Sequence, residues 1–451
     1  MAVTLIWTTG CGGPAGSAGT EPLAADVQQP PQSCTVFYAA DEEVALGGNN
    51  EDWLNPLTKI WFMPPEAGRY GRVYFGFDDF TPQGGMNDQG LFFDGLAVTP
   101  MDVPPEEDKP IYQANLVDKA MSECATVACV EELMDRYYKP NFDRFQLLFG
   151  DSTGDSAIIE PLTVVRKDGP YQVATNFYQS QTSEGSRTCW RYRTAVEMLE
   201  DADEFSAELF RNVLEATHQA GEFGSARTLY STIYDLKRTI VYVYYFHDFE
   251  HVVEIDLEEE LAQGEHVYDL PSLFPQSDAA ARWAQLRIEA FERRRERRVA
   301  TDIDPRIYSA YVGQYEGPTD SGLTFAASVT SEQGHLYVDL LGDESPRLEM
   351  LPQSETSFFY LTYDGDWDLE VTFVQGHAGQ VSQAVLEVGE RSFRFDRIDV
   401  PTAPATEVAA DPLQDRETPG RSGSWWMWLL GASLVLSALA VWGITRRQSR
   451  C

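Results

Sequence analysis

Six histidines occur, at 218, 247, 251, 266, 335 and 377. No pair has a zinc-like spacing with a supporting acid. His247 and His251 are four apart, but they flank an aromatic, strand-like run where that spacing builds no shared ligand sphere. There is no Gly-x-Ser-x-Gly, no phosphate loop and no dinucleotide fingerprint. Metal catalysis and the Ser/His and Cys/His schemes lack support, and neither a metal nor a cofactor is expected. What remains is the run from Ser33 to Trp53. It reads as a strand from Cys34, a turn at Asp41–Glu43, a second strand and a polar cluster. A hairpin of this length returns Asn49, Asn50 and Asp52 to the side of Cys34. A thiol beside carboxylate and amide groups is a candidate nucleophile, although an isolated cysteine more often packs.

The elements that would carry this hairpin are separated by composition. The chain has 451 residues, with 34 Lys and Arg against 71 Asp and Glu, a net charge of −37. That balance excludes nucleic acid as an expected partner. With 43% hydrophobic and 12% aromatic residues, a large core is available. Residues 1–33 read as a leader, with Cys11 at a lipoprotein-like position after a truncated apolar start. Residues 34–275 mix short strands, turns and helices. Residues 276–301 read as a connecting helix, with arginines at 282, 287, 293, 294, 295, 297 and 298; a solvated helix is the favoured reading over docking on an acidic domain or on lipid. Residues 302–398 alternate apolar and polar positions between turns and predict a small barrel or sandwich. Residues 399–424 read as a flexible linker. Trp425–Thr445 is 21 residues without charge, long enough to span a bilayer, and the basic tail 446–451 follows. The expected localisation is therefore extracytoplasmic, anchored by a C-terminal single-pass helix with a cytoplasmic tail. Cys124 and Cys129 are read either as a local disulfide or as two buried thiols.

The segment 302–398 resembles the β-barrel domain appended to some bacterial β-lactamase-like hydrolases. The resemblance rests on Tyr311-Val-Gly-Gln-Tyr-Glu316, on 351–359 and on Phe393-Arg-Phe-Asp-Arg-Ile398. The segment 34–275 carries a more specific one. After Cys34-Thr35 come Gly48-Asn-Asn-Glu-Asp52, Gly85-Met-Asn-Asp-Gln-Gly-Leu91 and Gly150-Asp-Ser-Thr-Gly-Asp155. Val173-Ala-Thr-Asn-Phe177, Trp190-Arg-Tyr-Arg-Thr194, Thr228-Leu-Tyr-Ser-Thr232 and Asp269-Leu-Pro-Ser-Leu-Phe274 follow in order. This segment resembles the choloylglycine hydrolase family, the linear-amide hydrolases of the N-terminal nucleophile fold, and is similar to the isopenicillin N acyltransferase group. The implied fold class is α+β: a four-layer αββα sandwich, then a small all-β domain and a C-terminal transmembrane helix.

The resemblance implies a chain that begins, after cleavage between Ser33 and Cys34, with the nucleophile. A terminal cysteine carries its own base. Its α-amine, with a reference pKa of ~7.7–8.0, can take the thiol proton. Self-cleavage by Cys34 is expected. The family's aspartate falls at Asp52, orienting the amine or thiol; its oxyanion asparagine at Asn176; its arginine at Arg191, with Arg193 as rival. Two departures stand out. The family's arginine after glycine is Asn49 here, and its second asparagine falls at Ala97. Asn49, Asn50 and Asn87 are candidates for the oxyanion or substrate contacts. The expected activity is hydrolysis of a linear carbon–nitrogen amide of a small N-acyl substrate, through a Cys34 acyl-enzyme. Transfer of the acyl group to an amine, and an inactive anchored binding protein of the same fold, are the alternatives.

Overall fold

The computed structural model describes residues 34–398, apart from 105, 107, 111, 113–114, 188, 222–225, 319–323, 341–346, 364, 366–367, 377–379 and 389–390. The first strands are β1 (Thr35–Ala40), β2 (Ala45–Trp53), β3 (Lys59–Met63), β4 (Arg72–Gly76), β5 (Pro82–Asn87) and β6 (Leu91–Ala97). Helices α1 (Leu116–Glu123) and α2 (Val127–Arg136) precede β7 (Phe145–Asp151), β8 (Ser156–Ile159), β9 (Val164–Arg166) and β10 (Tyr171–Ala174). Helices α3 (Trp190–Glu200) and α4 (Ala207–Thr217) lead to β11 (Arg227–Asp235), β12 (Ile240–Tyr245) and β13 (Asp248–Asp256). Short α5 (Leu257–Leu261) and β14 (His266–Asp269) end this part, and α6 (Asp278–Arg298) leaves it.

Two antiparallel sheets result. One has the order β10-β1-β2-β11-β12-β13, the other β14-β3-β4-β5-β6-β7-β8-β9. Both faces of β1 and β2 are buried; β1 is apolar on both sides after Thr35, whereas β2 carries the buried polar run Asn49, Asn50, Glu51 and Asp52. Val36, Tyr38 and Ala45 face the second sheet and pack with Phe62, Phe75 and Phe92. Phe37, Ala39 and Leu46 face the other way, against Phe210 and Val213 of α4. Helices α1 and α2 cover the far face of the second sheet through Leu116, Met121 and Val130. The layers run helix, sheet, sheet, helix. The sheets approach closely because Gly47 has no side chain: a Cβ there would lie 2.6 Å from the Phe92 ring. A disulfide joins Cys124 to Cys129 between α1 and α2.

The last eight strands are β15 (Gly313–Pro318), β16 (Thr324–Glu332), β17 (His335–Leu340), β18 (Arg347–Pro352), β19 (Ser357–Tyr360), β20 (Leu369–Gln375), β21 (Val381–Val388) and β22 (Arg391–Ile398). They close into an antiparallel barrel, with β15 paired to β22. Alternate residues such as Val371 and Phe373, with Tyr315, Phe358 and Phe395, fill it.

Helix α6 ties barrel to sandwich. Trp283 is buried near Phe246, their ring centroids 5.7 Å apart. Arg287 donates to the carbonyls of Leu54 (3.1 Å) and Tyr363 (2.6 Å). Arg294 binds Asp368 at 2.6 Å, and Arg298 binds Glu370 at 2.9 Å and lies over the Phe359 ring. Residues 287, 294 and 298 share one helix face by their spacing. The expectation of a solvated helix is thus corrected for these three, while Arg282, Arg293, Arg295 and Arg297 are exposed.

The expected fold class and localisation also need correction. Among the described residues no helix is long and apolar enough to cross a membrane. The longest, α6, has 21 residues but carries the arginine run, which a bilayer core would not accept. The described fold ends in the closed barrel instead. The proposed span 425–445, the linker before it, the tail after it and the leader 1–33 lie outside the described residues. The C-terminal transmembrane helix and the anchored, extracytoplasmic localisation drawn from it are withdrawn, together with the membrane as a partner.

Candidate active site

The hairpin β1–β2 pairs Thr35 with Asn50 and Val36 with Asn49. Cys34, just ahead of β1, therefore lies beside Glu51 and Asp52. Its side chain is buried. The Sγ accepts from the Asp52 backbone N–H at 3.5 Å and donates to Glu51 Oε1 at 3.8 Å. Burial pushes the thiol well above its ordinary pKa, the charges of Glu51 and Asp52 add to this, and the Asp52 N–H opposes it. A thiol so placed needs a base to become a nucleophile.

Arg191, in the first turn of α3, is fully buried and organises the backbone at this point. It donates to the Cys34 carbonyl, to Thr35 Oγ1 at 2.8 Å and to Asn176 Oδ1 at 3.0 Å. Its Nη1 is 3.9 Å from Asp52 Oδ2. Asn176, just after β10, donates one amide N–H to the Ala97 carbonyl at 2.8 Å. An asparagine has two such donors, so the second is uncommitted among the described residues. The flanking carbonyls of Thr175 and Phe177 are held by Gln146 at 2.6 and 3.1 Å.

Alternation along β2 sends neighbouring side chains to opposite faces. Asn50 and Asp52 face the helix layer. The Asp52 carboxylate accepts from Thr228 Oγ1 and from Gln219 Nε2. Burial raises its pKa to about 7, against the pull of Arg191, Thr228 and Gln219. The sulfur is met by the Asp52 backbone; the carboxylate is engaged elsewhere. Asn50 donates to the Leu214 carbonyl and Thr217 Oγ1, each at 3.0 Å, and accepts from Ser231 at 2.6 Å. Its amide is spent tying β2 to α4 and β11. Asn87 is likewise occupied: it donates to the Met121 and Cys124 carbonyls at 2.8 Å and accepts from the Gln89 and Leu91 N–H groups. It shapes its turn. Arg193, the rival of Arg191, makes none of these contacts. Ser33 lies outside the described residues.

Asn49 and Glu51 face the space between the sheets. Asn49 Nδ2 donates to Glu51 Oε2 at 3.4 Å. Burial and the Asp52 charge raise Glu51 to about 8, opposed by the Asn49 amide and the Cys34 thiol. Opposite them, on β6, Asp94 is buried with neither carboxylate oxygen partnered among the described residues. A Cβ on Gly84 would come within 2.2 Å of Asp94 Oδ2 and 3.2 Å of Tyr234 Oη, so glycine makes room for both. Burial and the Glu51 charge hold the Asp94 carboxyl well above its ordinary range. The Asn49 carbonyl oxygen and the hydroxyls of Tyr230, Thr232 and Tyr234 are also buried without partners. Buried polar atoms normally find partners; this concentration marks a place for a polar ligand or water.

The sequence reading missed Glu51, Asp94, Tyr230, Tyr234, Thr228 and Gln219. For Glu51 the signal was present, because a period of two puts it on the face of Asn49. Thr228 and Tyr230 stand in the motif Thr228-Leu-Tyr-Ser-Thr232 but were given no role; Asp94, Tyr234 and Gln219 had no assigned signal, since they arrive from β6, β11 and the turn after α4. Among the described residues no three His, Cys, Asp or Glu side chains gather as a metal site.

A family model, a domain of unknown function (DUF3471), matches residues 297–401, the end of α6 and the barrel. No curated protein matches. Among solved structures, a mutant conjugated bile acid hydrolase from Clostridium perfringens is similar at 17% identity and a TM-score of 0.41, over 52% of this chain and 96% of that one. A penicillin V acylase from Agrobacterium tumefaciens is similar at 16% identity and a TM-score of 0.40, over 52% of this chain and 91% of that one. A second variant of the Clostridium perfringens enzyme gives 18% identity and a TM-score of 0.41, over 52% of this chain and 96% of that one. At that level the likeness carries nothing about activity.

Proposed function

We propose that this protein is a cysteine amidohydrolase that cleaves a linear carbon–nitrogen amide through a Cys34 acyl-enzyme, after removal of the residues before Cys34. The observation that carries this reading is the environment of one residue. Cys34 is buried, its sulfur lies against the Asp52 N–H and Glu51, and its carbonyl is held by Arg191. Packing alone does not call for two polar groups on a buried thiol and a buried arginine on its backbone carbonyl. Once the Ser33–Cys34 bond is cut, the new α-amine takes the thiol proton. The sulfur then attacks the substrate carbonyl carbon, and the amine leaving group carries the proton away. Water resolves the thioester. Asn176 has one amide N–H left to donate to the developing oxyanion, and Arg191 keeps Asn176 and the Cys34 backbone in register.

The test is the N-terminus and intact mass of purified protein beside Cys34→Ala, followed by a panel of N-acyl amino acids. A wild-type chain beginning at Cys34, an uncut variant and turnover only by wild type are expected. A folded wild-type chain still carrying residues before Cys34 would lack the amine base, and would turn the reading to a binding protein.

A further inference from the structure

The base assigned to turnover does not exist before cleavage, because the Cys34 nitrogen is then the amide of the bond to be cut. Self-cleavage needs another acceptor for the thiol proton. Among the described residues the only side-chain acceptor touching Cys34 Sγ is Glu51, at 3.8 Å. The alternatives are committed or distant. Asp52 offers the sulfur its backbone N–H, while its carboxylate takes Thr228 and Gln219 on the other face of β2. His266 pairs with Glu260 and His251 with Asp248, and His218 and His247 lie against each other near Phe249.

We propose that Glu51 is the general base and acid of self-cleavage, a catalytic residue that hands over its role to the α-amine once that amine exists. This rests on the self-processing reading above. The Glu51 carboxylate takes the Cys34 thiol proton. The sulfur attacks the Ser33 carbonyl carbon and forms a C–S bond. Protonated Glu51 returns the proton to the Cys34 nitrogen as the C–N bond breaks, leaving a thioester and a free amine. Water then cleaves the thioester, releasing a Ser33 carboxylic acid and restoring the thiol. No oxidant, reductant or cofactor enters.

The surroundings suit a proton carrier. Asn49 holds the second Glu51 oxygen at 3.4 Å and so directs the first at the sulfur. The titratable groups facing Glu51 are Cys34 ahead of β1, Asp94 on β6, and Tyr230 and Tyr234 on β11, and the charge of Asp52, on the other face of β2, also acts on it. Arg191 faces Asp52 from α3. Burial and the Asp52 charge raise Glu51 to about 8, near the range in which it both accepts and returns a proton.

The experiment uses full-length wild-type, Glu51→Gln and Glu51→Asp chains, each shown to be folded by a cooperative thermal transition, with cleavage at Ser33–Cys34 followed by intact mass. Wild type is expected to be cut. Glu51→Gln should slow cleavage by ~10²–10⁴-fold, the usual contribution of a positioned base, and Glu51→Asp should restore part of it. A folded Glu51→Gln chain cut at the wild-type rate overturns the assignment. An uncut wild-type chain instead overturns the self-processing reading. Should Glu51→Gln fail to fold, wild type refolded from denaturant between pH 5 and 10 decides: the rate should rise and level off near pH 8. A rate that climbs steadily to pH 10 reports ionisation of the thiol alone and overturns the role of Glu51.

Discussion

Glu51 and Asp52 are chain neighbours with different surroundings, because a strand turns consecutive side chains to opposite faces. Glu51 meets the thiol and the space between the sheets; Asp52 meets Thr228, Gln219 and Arg191. Asn176 is argued as the oxyanion donor, and Asn176→Ala is expected to lower kcat by ~10²–10³-fold, the loss seen for one such donor, with little change in processing yield. Asp94 adds its own dependence on pH to those of Glu51 and Asp52. A carboxyl whose folded pKa lies above its unfolded value, about 3.9, binds its proton more tightly when folded. Its stability contribution is complete below the unfolded value and is lost as pH rises toward the folded one. Asp94→Asn should therefore match wild type near pH 4 and gain on it as pH rises, by on the order of 1–3 kcal/mol at pH 8. Chemical denaturation at both pH values checks this, and a gain that shrinks with pH would contradict the buried acid.

Among the elements, β2 carries the most constraint. It is the sheet neighbour of both β1 and β11 and also meets α4 through Asn50. Asn50→Ala leaves the Leu214 carbonyl, Thr217 and Ser231 without that amide, and a loss of about 1–3 kcal/mol is expected. Since Asn50 faces away from the thiol, the folded variant should still be processed. Mass and urea denaturation on one sample separate the two effects. Gly47→Ala acts on the opposite face, where the new Cβ meets the Phe92 ring at 2.6 Å. Overpacking of this kind costs about 1–3 kcal/mol, measurable as a lower urea midpoint with the slope unchanged.

Across the whole molecule, α6 couples the sandwich to a barrel whose cavity is filled by its own side chains. The same helix seats Trp283 on the sandwich and Arg294 and Arg298 on the barrel. The Arg294–Asp368 pair is partly exposed, so its worth is modest. A double-mutant cycle with Arg294→Ala and Asp368→Ala should give a coupling of about 1 kcal/mol, falling with added salt. A coupling of zero would mean that the barrel is held by the other contacts of this helix, among them Arg287, Arg298 and the Phe291–Tyr363 stack.

Several features were legible in the sequence alone because they depend on near neighbours. The strand-like run after Cys34, with a polar turn at Asp41–Glu43, predicted a hairpin that returns Asn49, Asn50 and Asp52 toward Cys34, and the two strands pair Thr35 with Asn50 and Val36 with Asn49. The spacing of Trp283, Leu286 and Ala290 dictated a helix, and the alternation in 369–398 dictated strands. Local hydropathy also suggested a membrane span at 425–445, but a window of apolar residues reports only its own partitioning, and the described fold contains no such helix. Only the tertiary structure decided the rest. It brought Arg191 to the Cys34 carbonyl across 157 positions, set Asp94 against the face of Glu51, and joined β15 to β22. It also spent Asn50 and Asn87 on structure, although by residue type they had equal standing with Asn49. The physical reason is that strand and helix periodicity act within a few residues. A side chain's pKa, its free donors and its partners are instead properties of the packed surroundings, and those are assembled from distant parts of the chain.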